Sequence, residues 1–252
     1  MRLLACATVA ALAVSALAAP AAALPASAAT VVYGYAWADG KGNLRIVPKS
    51  ATFVKNANGF KGYRLTSLPK AKELRLDYTG ATVGRITVEC DLKETEGQVA
   101  LDAKGLGRTT CAPADLSDEL GRGPVPLRAE YRGGKAVKVN EFLVSGRPET
   151  RAARGTIKRV NDTTVVFASG GRKIKLGYAY TTGFNRTTAR CGDGWLAGRP
   201  VNADRNGLGK KPCTWQHLTK ALKTTAHPVL VKIEYTPGVD SLDQVWEVFG
   251  DA

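Results

Sequence analysis

Apolar and polar residues alternate along several short stretches of this chain, and a helical spacing interrupts them only briefly. TVVYGYAWADGKGNLRIV (residues 30–47) places Val31, Tyr33, Tyr35 and Trp37 on one face of an extended segment, and a two-glycine turn leads into a second apolar strand. RITVEC, ending at Cys90, alternates and is rich in β-branched residues, which predicts a strand running into the cysteine. Residues 115–120 space Leu116 and Leu120 at i and i+4 behind an acidic first turn, predicting a short helix that Gly121 stops. PVPLRAEYR, the pair Gly133-Gly134 and AVKVNEFLV read as a hairpin, because consecutive glycines supply the positive φ of a primed turn. Strand, loop, helix and hairpin together predict an α+β fold with an antiparallel sheet.

The same order recurs. VALDAKGLGRTTC ends at Cys111 and VNADRNGLGKKPC ends at Cys213, an offset of 102. Upstream, Leu76/Leu176, Tyr78/Tyr178, Thr82/Thr182, Arg85/Arg186, Thr87/Thr188 and Cys90/Cys191 coincide; downstream, Leu116/Leu218, Leu120/Leu222, Val139/Val245 and Glu141/Glu247 do. Matching blocks in one order with small gaps identify two tandem duplicated domains. The polar segment SGRPETRAARG carries Pro148 and reads as a linker. The expected division is a signal peptide over 1–29, a first domain over 30–144 with an extra N-terminal hairpin, the linker over 145–155, and a second domain over 156–252. Gly-Leu-Gly followed by Arg108 or Lys210 invites comparison with an anion loop. Such a loop presents amides at a helix N-terminus, whereas here a cysteine intervenes before the helix, so the motif reads as a turn back to that cysteine.

Composition adds the compartment. Arg2, an apolar Ala/Leu/Val run and a small-residue site ending at Ala28 or Ala29 have the order of a secretory signal peptide. No later run reaches the roughly 20 apolar residues that span a bilayer, so a secreted, extracellular protein without a membrane span is expected. Losing Cys6 with the signal leaves Cys90, Cys111, Cys191 and Cys213, an even number in an oxidising compartment. A zinc site would favour close CxxC pairs, which are absent. Duplication favours one disulfide per repeat, and each would close a loop worth roughly 3 kcal/mol. The formal charge of +14 is spread along the chain without the basic tract of a nucleic-acid arm. Nucleic acid is therefore not an expected partner; anionic cell wall or an acidic protein suits the charge.

A strand entering a cysteine, a loop, a second cysteine opening a helix, and a Pro-Val that heads a final hairpin resemble the Streptomyces subtilisin inhibitor-like domain. The residues carrying the resemblance are Cys90, Cys111, Leu116, Pro124 and Val125, and again Cys191, Cys213, Leu218, Pro228 and Val229. It implies small secreted domains that bind a trypsin- or subtilisin-like partner. The long reactive loop of that family is reduced here to Gly121-Arg122-Gly123 and to residues 223–227, and its second disulfide is missing.

Catalytic signals are sparse. His217 and His227 are the two histidines, and GxSxG, HExxH and GxxxxGK[ST] do not occur. Asp204-Arg205-Asn206-Gly207 echoes a calcium loop without its downstream glutamate and reads as a turn. No enzyme, metal or cofactor is expected. The reading that follows is a protein-binding adaptor or scaffold in an extracellular bacterial complex, such as a secreted antibacterial toxin particle, whose partners are other secreted proteins. A serine protease inhibitor and a basic cell-wall-binding module are the alternatives. Val31, Tyr33, Tyr35 and Trp37 are candidate contacts, should their strand be donated to a partner's sheet; otherwise the segment completes the first domain. Trp195 and Trp215 have no tryptophan counterpart in the first repeat and either mark a second contact surface or fill a core.

Overall fold

The computed structural model describes residues 28–39, 42–146, 148–196 and 199–249; Cys6 and most of the expected signal peptide lie outside them. The first half of the chain forms β1 (Thr30–Ala38), β2 (Asn43–Ile46), β3 (Lys49–Lys55), β4 (Lys61–Ser67), β5 (Leu74–Asp77), β6 (Thr82–Arg85), β7 (Thr109–Cys111), α1 (Pro113–Arg122), β8 (Val125–Arg132) and β9 (Lys135–Glu141). The second half forms β10 (Arg151–Asn161), β11 (Thr164–Ser169), β12 (Arg172–Gly177), β13 (Gly183–Arg186), β14 (Lys211–Cys213), α2 (Trp215–Lys223), β15 (Val229–Thr236) and β16 (Ser241–Glu247).

Both sheets close. β1 pairs with β2, β2 with β5, β5 with β9 through the single register pair Asp77↔Lys135, β9 with β8, and β8 with β1. In the second half β10, β11, β12, β16 and β15 make the same circuit, again joined at one narrow parallel point, Gly177↔Ser241. A five-strand ring in the order 1-2-3-5-4, with a helix between strands three and four, has the connectivity of an OB barrel. Inward residues such as Leu44, Leu76, Leu127 and Val139 fill the first barrel, and Ile157, Leu176, Val231 and Val245 fill the second. Leu116 and Leu120 of α1, and Leu218, Ala221 and Leu222 of α2, plug one end of each.

With 49% of the described residues in strands, 9% helical and sheets closed into rings, the fold is mostly β, which corrects the α+β expectation. The leucine-spaced segments are helices, but each is a plug on a barrel rather than a layer on an open sheet. Alternation reveals strands without revealing that β1 and β8, about a hundred residues apart, close a ring. A smaller difference concerns RITVEC: β6 stops at Arg85, and residues 86–90 leave the sheet.

The N-terminal strand also has a counterpart in the second half. Gly34 lies opposite Leu127 in β8, and Gly155 lies opposite Val231 in β15, so β1 and β10 occupy the same place. β10 starts at Arg151, inside the segment read as a linker. What the first barrel has in addition is the hairpin of β3 and β4, packed on Tyr33, Leu106 and Phe142. Gly34 and Gly155 are required by close approach: a Cβ would lie 2.5 Å from the Val47 carbonyl oxygen and 2.2 Å from that of Ala168.

Each barrel buries one Arg–Glu pair. Arg186 and Glu247 are completely buried, with Nη2 3.0 Å from Oε1. Arg186 also donates to the carbonyls of Cys191 (3.0 Å), Asp193 (2.6 Å) and Gly194 (2.6 Å), while Glu247 accepts from the amides of Thr187 (2.9 Å) and Leu196 (2.8 Å). In the first barrel Arg85 meets Glu141 (3.0 Å) and Glu119 of α1 (3.1 Å) and donates to the Cys90 carbonyl. Burial pushes the Glu141 carboxyl up despite Arg85 and the amide of Ile86. These pairs hold the start of the loops that the disulfides Cys90–Cys111 and Cys191–Cys213 close. The Gly-Leu-Gly turns complete the arrangement. Asp102 Oδ1 accepts from the amides of Lys104 and Leu106, as Asp204 Oδ1 does from Asn206 and Leu208. Gly105 and Gly207 take positive φ (74° and 73°), and Gly107 and Gly209 donate to the main chain of Glu141 and Glu247. Their amides are spent within the loop and on the ends of β9 and β16, so the motif is structural.

The barrels meet through Trp37, whose indole N–H donates to the Val239 carbonyl (3.3 Å). Glu73 bridges to Lys175 (2.8 Å). Gly177 is the close approach: a Cβ there would meet Arg45 Nη2 at 2.6 Å and the Trp37 ring at 2.7 Å.

Two outcomes follow. Arg186→Met leaves Glu247 buried without its cation and should lower the unfolding free energy in urea by about 3–5 kcal/mol, with part of the loss recovered by adding Glu247→Leu. Gly177→Val should part the barrels without unfolding either, seen as a larger radius of gyration at unchanged strand content; an unchanged radius would show that the junction does not depend on this contact.

Candidate functional site

The hairpin of β11 and β12 turns at Gly170 and Gly171, both with positive φ (52° and 76°). Such a two-residue turn makes Ser169 and Arg172 a hydrogen-bonded pair, and the bonding sense then alternates along the ladder. Lys173, Lys175 and Gly177 therefore direct their main-chain N–H and C=O groups away from β11. Gly177 N–H is taken by the Asp240 carbonyl (2.8 Å). Among the described residues, β12 has no strand beside this edge before Gly177. Lys173 and Lys175 thus hold a short exposed length of strand edge.

The side chains of β12 line the end of the barrel opposite α2. Ile174 and Leu176, with Phe167, Ala153 and Tyr235, wall a groove of about 350 Å3 rimmed by Arg151, Arg172 and Asp240. The first barrel has Val32 at the place of Ala153, by the same register that equates Gly34 with Gly155; the smaller side chain widens the second mouth. On the other side of β12, a cleft of about 230 Å3 lies between the barrels, bounded by Tyr35, Trp37, Arg45, Glu73 and Lys175. Ile174 and Asp240 line both, so groove and cleft adjoin.

The cleft is lined by two cations, Arg45 and Lys175, and two carboxylates, Glu73 and Asp240. Glu73 gathers Lys175 (2.8 Å), Arg45 (3.4 Å) and Arg75 (3.9 Å). The Arg45 side chain is 5% exposed. Its Nη1 reaches Glu73 and its guanidinium lies 5.3 Å from the centre of the Trp37 ring, but Nε and Nη2 have no hydrogen-bond partner among the described residues. Burial lowers the Arg45 pKa, opposed by Glu73. Asp240 sits in the left-handed region (φ 57°), and burial raises its carboxyl pKa, opposed by Lys49 and Arg45.

The residues anticipated from sequence are placed as follows. β1 is paired along both edges, with β8 on one side and β2 and β3 on the other. Val31 is exposed at its start. Tyr33 packs on Tyr63 and Phe142 and accepts from Arg128 Nε (3.1 Å). Tyr35 walls the cleft, where burial raises its phenol pKa, and Trp37 is buried at the junction. Trp195 stacks on Phe184 at 5.7 Å, and both Trp195 and Trp215 pack against the second core. His217 Nδ1 lies 2.8 Å from the Thr214 hydroxyl in the capping of α2. Cys90, Cys111 and Asp115 have the spacing of metal ligands, but both sulfurs are in the disulfide. Among the described residues no helix is long and apolar enough to cross a membrane. Arg45, Glu73, Ile174, Lys175, Tyr235 and Asp240 escaped the sequence reading; the Gly170-Gly171 turn was the local signal that could have located β12.

No protein-family model, curated protein or solved structure matches the chain.

The raised pKa of Asp240 has a sign that can be checked. The folded state holds this proton more tightly than the unfolded chain, so stability falls as pH rises from the ordinary aspartate value of 3.8 through the folded value. Asp240→Asn, which keeps the left-handed backbone accessible, should match the wild type below that window and exceed its stability above it in urea titrations. A difference that is constant with pH would show that the carboxyl is not penalised there.

Proposed function

We propose that this chain is a secreted, non-enzymatic protein that binds other proteins, an adaptor or scaffold in an extracellular bacterial complex, and that the mouth of the second barrel is where a partner docks. The observation that carries this reading is the edge of β12 at Lys173 and Lys175, open beside an apolar groove of about 350 Å3. A strand edge offers main-chain hydrogen bonds for affinity, and pockets beside it select alternate side chains. The N-terminal leader pattern and two disulfides support an extracellular setting. The contact of the barrels at Trp37 supports a scaffold role, because it sets a partner held at one barrel beside the other.

The test is capture from the culture filtrate of the producing organism on the immobilised protein, with bound species identified by mass and stoichiometry. The wild type should retain a discrete partner in a fixed ratio. Ile174→Glu places a charge in the groove, and Lys173→Pro deletes one edge amide without touching the ladder to β11; each should weaken capture by about tenfold or more. Equal capture by both variants would sink the docking site, and stoichiometric inhibition of trypsin or subtilisin by the wild type would move protease inhibition ahead of the adaptor reading.

A further inference from the structure

The surroundings of the β12 edge say what kind of segment fits it. Arg172 and Lys173 stand exposed at the mouth without an ion pair among the described residues. The cleft behind it is lined by two cations, Arg45 and Lys175, and two carboxylates, Glu73 and Asp240, so the unpaired positive charge lies at the mouth. Arg45 itself is sealed at the junction, its Nη2 against Gly177, so the cations open to a partner are those of β12. A second copy of this chain would bring its own excess of positive charge to the same place.

We infer that the occupant is an extended, acidic segment of another protein, its main chain paired with Lys173 and Lys175, an apolar side chain in the mouth, and its carboxylates facing the exposed cations of β12. This rests on the mouth being a docking site and adds the chemistry of the partner. Alternation of apolar and acidic residues follows from the geometry: successive side chains of an added strand point to opposite faces, one toward the groove and one toward the side of Lys173 and Lys175.

Two acetylated, amidated hexapeptides, one alternating valine with glutamate and one alternating valine with lysine, serve as probes of the 15N-labelled protein. The glutamate peptide should shift the amides of Lys173 and Lys175, and should bind at least about tenfold more tightly than the lysine peptide. The double variant Arg172→Glu with Lys173→Glu should reverse that preference. Equal binding of the two peptides, or no movement along β12, overturns the inference. Polyphosphate that binds without moving the Lys173 and Lys175 amides would assign the rim to a polyanion and also overturn it. The two levels separate cleanly in partner capture. If Lys173→Pro abolishes capture and the charge-reversed variant does not, docking stands and the acidic occupant falls; if neither matters, both fall.

Discussion

In each barrel a guanidinium and a carboxylate are withdrawn from water together, and the rest of the domain is arranged to make that tolerable. An isolated buried charge is costly, and a pair becomes acceptable only when the remaining donors and acceptors are also satisfied. Arg186 and Glu247 meet that demand with the main chain of the disulfide loop; Arg85 and Glu141 meet it partly with Glu119 from the helix. The pair therefore ties the end of the fifth ring strand, the entry to the disulfide loop and the Gly-Leu-Gly turn into one unit. The sheet has to leave its regular course after Arg85 and Arg186 so that the following amides can reach the glutamate.

This explains which parts of the molecule were legible in the sequence. Residues that answer to the buried pair or to backbone crowding recur at matching positions: Arg85/Arg186, Glu141/Glu247, the cysteines and the Gly-Leu-Gly turns. Strand interiors need only remain apolar, so Val32/Ala153 and Ala36/Ile157 drift, and the equivalence of β1 and β10 survives in Gly34/Gly155 alone. It was further hidden because the offset is 121 there and 100 at Leu76/Leu176, the hairpin of β3 and β4 absorbing the difference. The cleft was not legible at all. Its residues acquire meaning from the contact of two barrels, as when Trp37 meets a carbonyl 202 positions away.

The same junction gave the aromatic face of β1 its actual use. Tyr33 holds the inserted hairpin, Trp37 holds the second barrel, and Tyr35 lies between them on the cleft wall. A row of aromatics suited to gripping a partner grips the chain's own parts instead. The open edge moved to β12, whose mouth shares Ile174 and Asp240 with the cleft, so the geometry of the junction and the shape of the groove are set by common residues.

The hairpin of β3 and β4 carries one last implication. Two nearly equivalent barrels in tandem have an approximate internal repeat, and a larger assembly could engage such a module in either of two registers. A bulky element on one copy alone abolishes that degeneracy and gives the module a head and a tail. Any array built on it inherits that polarity from a single insertion.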